Sequence, residues 1–196
     1  MYRIYLAAVD MLPAALLLIP FFWLFNQLSI RNIRKCIAYY LFACYLSVVY
    51  VLVGLPNITY MRVELNLNLI PFVGMPDDWK NSILNVLLFI PLGILLPLLW
   101  DNYKSCRHTV LFGFAMSLTI ELLQILTYRT TDVNDLITNT LGAYLGYLSA
   151  AAFLRKHRPT GENNICDLFV IFAVVLLAMF FLYPFVSAAL WDYILS

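Results

Sequence analysis

Six long apolar runs divide the chain, and they restrict its fold more than any other feature. They cover residues 4–28, 37–55, 82–100, 109–127, 135–154 and 168–193. Each is close to the ~20 residues that a helix needs to cross the hydrocarbon core of a bilayer. A helix is also the only single segment of this length whose backbone groups all bond internally. The sequence therefore predicts an all-α, polytopic membrane helix bundle with about six transmembrane helices.

The composition agrees with a location in lipid. Apolar residues make up 63% of the chain and charged residues 12%, whereas about a quarter of a soluble domain is charged. The net charge of +1 gives no basic surface for nucleic acid. The first run is longer than the apolar core of a signal peptide, so we expect a retained span. The four cysteines lack the spacing of a metal site.

Lysine and arginine are distributed unequally between alternate loops, which predicts the orientation of the chain. The connections after spans one, three and five carry eight of them: Arg31, Arg34, Lys35, Lys104, Arg107, Arg155, Lys156 and Arg158. The opposite side carries four: Arg3, Arg62, Lys80 and Arg129. We therefore expect both termini and the loops 56–81 and 128–134 to be extracytoplasmic. Asp167 is expected to be an ordinary residue flanking the last span.

The long outer loop contains a stretch in which apolar and polar residues alternate, from Val63 to the Pro71-Phe72 pair. Alternation with a period of two is typical of an extended chain with one apolar face. We expect a short strand, or an extended segment that lies on the membrane surface.

Polar residues inside the spans are costly in lipid, so their positions are informative. Three spans carry polar faces, formed by Asn81 and Asn85 in span three, by Ser117, Glu121, Gln124 and Tyr128 in span four, and by Asp132, Asp135, Asn139, Gly142 and Gly146 in span five. Asn85, Glu121, Gln124, Asp135 and Asn139 lie within about two turns of the outer surface, so we expect the polar faces to face one another as a polar pocket in the outer leaflet, beneath Arg129. A lone carboxylate at the depth of Glu121 should be protonated, or paired with a cation or a metal.

Structural roles compete with functional ones at several of these positions. Asp132 and Asp135 are equally explained as caps at the start of a helix. Gln124 and Asn139 are also explained as hydrogen bonds between helices. The spacing of Gly142 and Gly146 predicts close helix packing.

Four motifs occur along the chain in order. They are Asn68-Leu-Ile-Pro71-Phe72, Asn85-x-x-x-Phe-Ile-Pro-Leu-Gly93, Ser117-Leu-Thr-x-Glu121-x-x-Gln124, and Arg129-x-x-Asp132-x-x-Asp135-x-x-x-Asn139-Thr-x-Gly142-x-x-x-Gly146. In order and spacing they resemble the VanZ family over about residues 60–150. The resemblance implies a bacterial cytoplasmic membrane protein. The name-giving member of that family confers low-level resistance to teicoplanin, a lipoglycopeptide antibiotic, and no biochemical activity follows from membership.

The pocket and the resemblance together leave three hypotheses. The first is a module that binds a lipid-like or cell-wall-precursor ligand, with Arg129 pairing an anionic group. Its candidate ligand-binding residues are Asn68, Pro71, Phe72, Asn85, Gln124, Arg129 and Asn139. The second is an enzyme acting on a lipid or peptidoglycan precursor, with Glu121 as general acid or base and with Asp132 and Asp135 as acid partners or as ligands of a divalent cation. The third is a small transporter or lipid flippase.

The organisation expected from these patterns has three parts. Residues 1–56 form two N-terminal spans, 57–154 form a VanZ-like core of the outer loop and three spans, and 155–196 form a basic cytoplasmic loop and the last span. No cofactor other than the possible divalent cation is expected, and the sequence leaves the oligomeric state open.

Overall fold

The fold is described by a computed structural model, which covers residues 2–63, 65–72, 79–127, 129–156 and 164–195. The helices are α1 (Tyr2–Phe25), α2 (Ile33–Leu52), α3 (Trp79–Leu99), α4 (Cys106–Gln124), α5 (Val133–Lys156), α6 (Ile165–Leu177) and α7 (Tyr183–Leu195). One π-helical turn (Asn26–Ile30) continues α1, and another (Ala178–Leu182) joins α6 to α7. Two short strands, β1 (Leu67–Asn68) and β2 (Thr131–Asp132), complete the structure with a 3-10 turn at Asp101–Tyr103. Tyr128 and Arg158 lie outside the described residues.

The predicted all-α membrane bundle is confirmed. Among the described residues, five helical stretches are long and apolar enough to cross a membrane: Met11–Ile30, Ile33–Leu52, Trp79–Leu99, Cys106–Gln124 and Ile165–Tyr193. α5 is also long enough, with 24 residues. It is less apolar because one of its faces carries Asn134, Thr138 and Asn139, all of which are buried.

The chain divides into two compact units. The first contains Met1–Met61 and Cys166–Ser196, and therefore α1, α2, α6 and α7. The second contains Arg62–Ile165, and therefore the two strands with α3, α4 and α5. All the motifs of the polar pocket belong to the second unit.

Asp167 ties the first unit together, and the expectation that it is an ordinary flanking residue was wrong. It lies in the first turn of α6 and is only 5% exposed. Its Oδ2 atom is 3.4 Å from Nζ of Lys35 and accepts a hydrogen bond of 3.4 Å from the hydroxyl of Tyr39. A buried carboxylate requires such partners. The pair therefore fixes the start of α6 against α2.

Pro184 accounts for the π-helical turn in the last span. Proline has no N–H and cannot bond to the carbonyl four residues earlier, which here belongs to Phe180. That carbonyl instead accepts a hydrogen bond of 3.1 Å from the backbone N–H of Ile58. The irregular turn at Ala178–Leu182 is therefore hydrogen-bonded to the segment that follows α2.

In the second unit, α3 and α5 pack backbone against backbone. A Cβ atom at Gly142 would collide with the carbonyl of Val86, and one at Gly146 with the carbonyl of Ile90. The predicted close packing of Gly142 and Gly146 is therefore confirmed. Because the contacts advance along both helices together, α3 and α5 run parallel, as expected for two spans that start on the same side of a membrane.

α4 runs antiparallel to α5 and brings the third polar face into place. Gly113 lies against Ala143, and four residues further along α4 the hydroxyl of Ser117 accepts a hydrogen bond of 3.0 Å from Nδ2 of Asn139. The start of α3, the end of α4 and the start of α5 consequently meet at one end of the unit.

The loops at this end are joined by a short parallel ladder. β1 pairs with β2 so that Leu67 lies opposite Thr131 and Asn68 opposite Asp132. The amide of Thr131 donates to the carbonyl of Asn66 at 2.9 Å. The alternating stretch thus contains the short strand that was predicted, and it covers the end of α4.

Candidate functional site

The start of α3, the end of α4 and the start of α5 bring their polar residues to one end of the second unit, which we call the polar end. Glu121 lies at its centre and is 3% exposed. Its Oε2 atom accepts a hydrogen bond of 2.8 Å from the backbone N–H of Asp132. Its backbone carbonyl accepts a second bond, of 3.0 Å, from the hydroxyl of Thr131. A carboxylate buried at this depth needs donors to offset its lost hydration. Glu121 therefore anchors the loop that returns from α4 to α5.

Asp132 has the capping role that was considered for it, and it also contacts the outer loop. Its Oδ1 atom accepts from the backbone N–H of Asn134 at 2.8 Å, which caps the start of α5. Its Oδ2 atom accepts from Nδ2 of Asn68 at 3.1 Å, which holds the outer loop. The motif residues Asn68, Glu121 and Asp132 are thus brought together in one chain of hydrogen bonds.

Asn134 is a site residue that the sequence patterns missed. It is buried, and its Oδ1 atom accepts a hydrogen bond of 2.6 Å from the backbone N–H of Phe72. Phe72 has a φ of 65°, in the left-handed region that is strained for a residue with a side chain. Asn134 holds that turn, while the side chain of Phe72 points outward and is 64% exposed. Pro71 lies beside it on the surface of the turn and not in the buried layer.

The amide groups of Asn85 and Asn139 form a buried layer, which we call the amide layer. Asn139 is 3% exposed and donates through Nδ2 to Ser117, as described above. Its Oδ1 atom and the Nδ2 atom of Asn85 are both buried, and neither has a hydrogen-bond partner among the residues described. Gly142 lies against Val86 and Phe89. Because Asn139 precedes Gly142 by three residues and Asn85 precedes Phe89 by four, Asn85 and Asn139 lie at a similar height. The layer therefore offers one acceptor and one donor to a further group.

Gln124 and Arg129 stand at the end of α4 and on the loop that follows. Gln124 is buried, and its backbone carbonyl accepts from the hydroxyl of Thr127 at 2.9 Å. Arg129 is exposed, and its positive charge acts on the carboxylate of Glu121. The negative charges of Asp132 and Asp135 also act on Glu121. The site is therefore acidic within and carries a cation at its surface.

A divalent cation at Asp132 and Asp135 would find few side-chain ligands here. The described part of the chain contains no group of three or more His, Cys, Asp and Glu side chains that could hold a metal. Both oxygen atoms of Asp132 already accept hydrogen bonds from the protein. Asp132 therefore fits the role of capping α5 and holding the outer loop better than the role of a ligand in a closed metal site.

Comparisons with known proteins agree with the motifs. Residues 36–155 match the family model described as VanZ/LLP1. The chain is also similar to Protein VanZ of Enterococcus faecium, with 36% identity over 120 residues, which cover 60% of this chain and 70% of that protein. No solved structure matches the chain. The matched region contains α3, α4, α5 and every candidate site residue, and the chain belongs to the VanZ/LLP1 family.

Proposed function

We propose that this chain is a binding module linked to lipoglycopeptide resistance of the teicoplanin type. In this proposal the polar end of α3, α4 and α5 faces the outside of a bacterial cytoplasmic membrane. It holds the polar part of a lipid-like or cell-wall-precursor ligand in the outer leaflet. The unequal distribution of Lys and Arg supports this orientation, and family membership supports the link to resistance.

The observation that carries the proposal is the open pair of amide atoms in the buried layer. Oδ1 of Asn139 and Nδ2 of Asn85 are buried and have no hydrogen-bond partner among the described residues. A buried polar atom without a partner typically costs ~1–3 kcal/mol. A ligand group with one donor and one acceptor would remove this cost. A water molecule could do the same until the ligand displaces it. The layer thus favours a neutral polar group at depth.

Arg129 supplies the second element of recognition. It is exposed on the loop that follows α4. A guanidinium binds a carboxylate or phosphate with two parallel hydrogen bonds, which Lys cannot reproduce. A ligand that carries an anionic group near the membrane surface and a polar group below it would engage both Arg129 and the amide layer.

An enzyme acting on a lipid or peptidoglycan precursor is the second candidate. It is favoured by the electrostatic coupling of Glu121 to Asp132 and Asp135, because acid–base chemistry often uses carboxylates that share one environment. The bonds that occupy Oε2 of Glu121 and both oxygens of Asp132 favour binding over catalysis. A transporter ranks below both, because these polar groups gather at one end of α3–α5.

The deciding test is drug susceptibility in a sensitive Gram-positive host. Strains would express the wild type, Glu121→Gln, Arg129→Lys or Arg129→Ala at matched membrane levels, each with teicoplanin and with vancomycin as the control that lacks an acyl chain. Glu121→Gln keeps an oxygen that can accept from Asp132 but loses the charge. Asp192→Asn, which neutralises an exposed carboxylate in the other unit, is the matched control.

We expect the wild type and Asp192→Asn to protect against teicoplanin only. Glu121→Gln and Arg129→Ala should fall to the level of the empty vector, and Arg129→Lys should be intermediate. Full protection by Arg129→Ala would contradict the binding role of the cation. Full protection by Glu121→Gln would exclude Glu121 as the acid or base of an enzyme.

A further inference from the structure

The outer-loop segment from Arg62 to Leu69 is described apart from Glu64, and apolar and polar side chains alternate along it. Its apolar members Val63, Leu65, Leu67 and Leu69 are 51–70% exposed. In an extended chain, residues two apart lie on the same side. The opposite side carries Asn66 and Asn68, and Asn68 binds Asp132. A row of exposed aliphatic side chains therefore alternates with the asparagine side chains, of which Asn68 binds the site through Asp132.

The position of this segment brings the row of aliphatic side chains to the boundary of the bilayer. Leu67 pairs with Thr131, two residues before the start of α5. Residues of an extended chain advance by ~3.3 Å each and paired strands lie ~4.8 Å apart, so Leu67 lies roughly 10 Å from the start of α5. Trp79, which begins α3, is 55% exposed, and amphipathic aromatic residues are typical of the membrane interface.

We propose that the side of the segment formed by Val63, Leu65, Leu67 and Leu69 is inserted among the acyl chains of the leaflet next to the site, so that one strand separates the site from lipid. Exposure of four aliphatic side chains to water would be unfavourable, and lipid removes that contact. Exposed Arg62 at the start of the segment suits anionic headgroups.

A second copy of the chain is the competing occupant of this row. A stable protein interface buries ~800 Å² on each partner, and four side chains on a two-residue strand and its flanks present less than this. Lipid needs no such minimum area, since each side chain inserts independently. The inference rests on the membrane bundle and the exposed side chains, and it does not require the drug-resistance role.

The test places p-benzoylphenylalanine at Leu65 or at Asn66 and irradiates the full-length protein in nanodiscs of dioleoylphosphatidylglycerol. Both positions are exposed, so a difference between them reports the surroundings and not accessibility. Mass spectrometry counts lipid adducts, and thermal unfolding checks that each variant is folded.

We expect several-fold more lipid adducts at position 65 than at position 66. Equal yields at the two positions, or none at position 65, would overturn the proposal. Protein–protein adducts at position 65 would also overturn it, in favour of a second copy. A drug-susceptibility result has no bearing on these outcomes, so the inference and the proposed function fail independently.

Discussion

Asp132 has two tasks, and each of its carboxylate oxygens serves one of them. Oδ1 caps α5 through Asn134, and Oδ2 holds Asn68 of the outer loop. Its backbone N–H adds a third contact by donating to Glu121. The interpretation as a helix cap and the interpretation as a site residue are therefore compatible at this position, because the cap fixes the loop that covers the buried carboxylate.

We expect Asp132→Ala to lower the free energy of unfolding by about 1–2 kcal/mol, since loss of an N-cap alone typically costs ~1 kcal/mol and the bond to Asn68 is lost as well. Asp132→Asn keeps an oxygen that can cap Asn134 and should lose less. Thermal unfolding in detergent measures both changes. An alanine variant as stable as the wild type would show that neither bond contributes.

At the scale of elements, α3 and α5 depend on glycine for their contact. Gly146 faces the carbonyl of Ile90 and the Cα atom of Gly93, which are backbone groups that cannot rotate away. In lipid, helix association relies on such close packing. The same contact sets the height of Asn85 relative to Asn139, so the packing of these two helices determines the geometry of the amide layer.

Gly146→Ala should therefore destabilise the second unit by roughly 1–3 kcal/mol, the usual cost of overpacking, and should also reduce protection against teicoplanin. Ala152→Leu adds more volume on an exposed face of the same helix and is the matched control. Unfolding temperature and drug susceptibility would be measured for both variants. If Gly146→Ala behaves like Ala152→Leu, the helices must have room that the structure does not show.

Features of elements that follow from local spacing were predicted from the sequence, and those that follow from distant contacts were not. The spans and the short strand depend on the length or period of an apolar pattern, and the glycine pair depends on a spacing of four residues. Asp167 was mistaken for a flanking residue because its partners Lys35 and Tyr39 are more than a hundred residues away. Asn134 was missed because its role depends on the left-handed turn at Phe72, which no residue type announced.

At the scale of the whole molecule, the parallel packing of α3 and α5 agrees with two crossings, by α3 and by α4, between their starts. It places the starts of α3 and α5 at one end of the second unit, which is the arrangement expected if both begin on the same side of a membrane. Which side this is depends on the distribution of Lys and Arg, since the helix packing would be the same in either orientation. The cysteines provide an independent means of deciding it.

A membrane-impermeant maleimide should leave the wild type unlabelled in intact Gram-positive cells and should label it after lysis. Cys166 is exposed and lies at the start of the last span, on the side that we propose to be cytoplasmic. Asn66→Cys adds an exposed thiol on the opposite side, next to the site, and should react in intact cells. Labelling of the wild type before lysis would reverse the orientation and place the site in the inner leaflet, where it could not meet a drug that acts outside the cell.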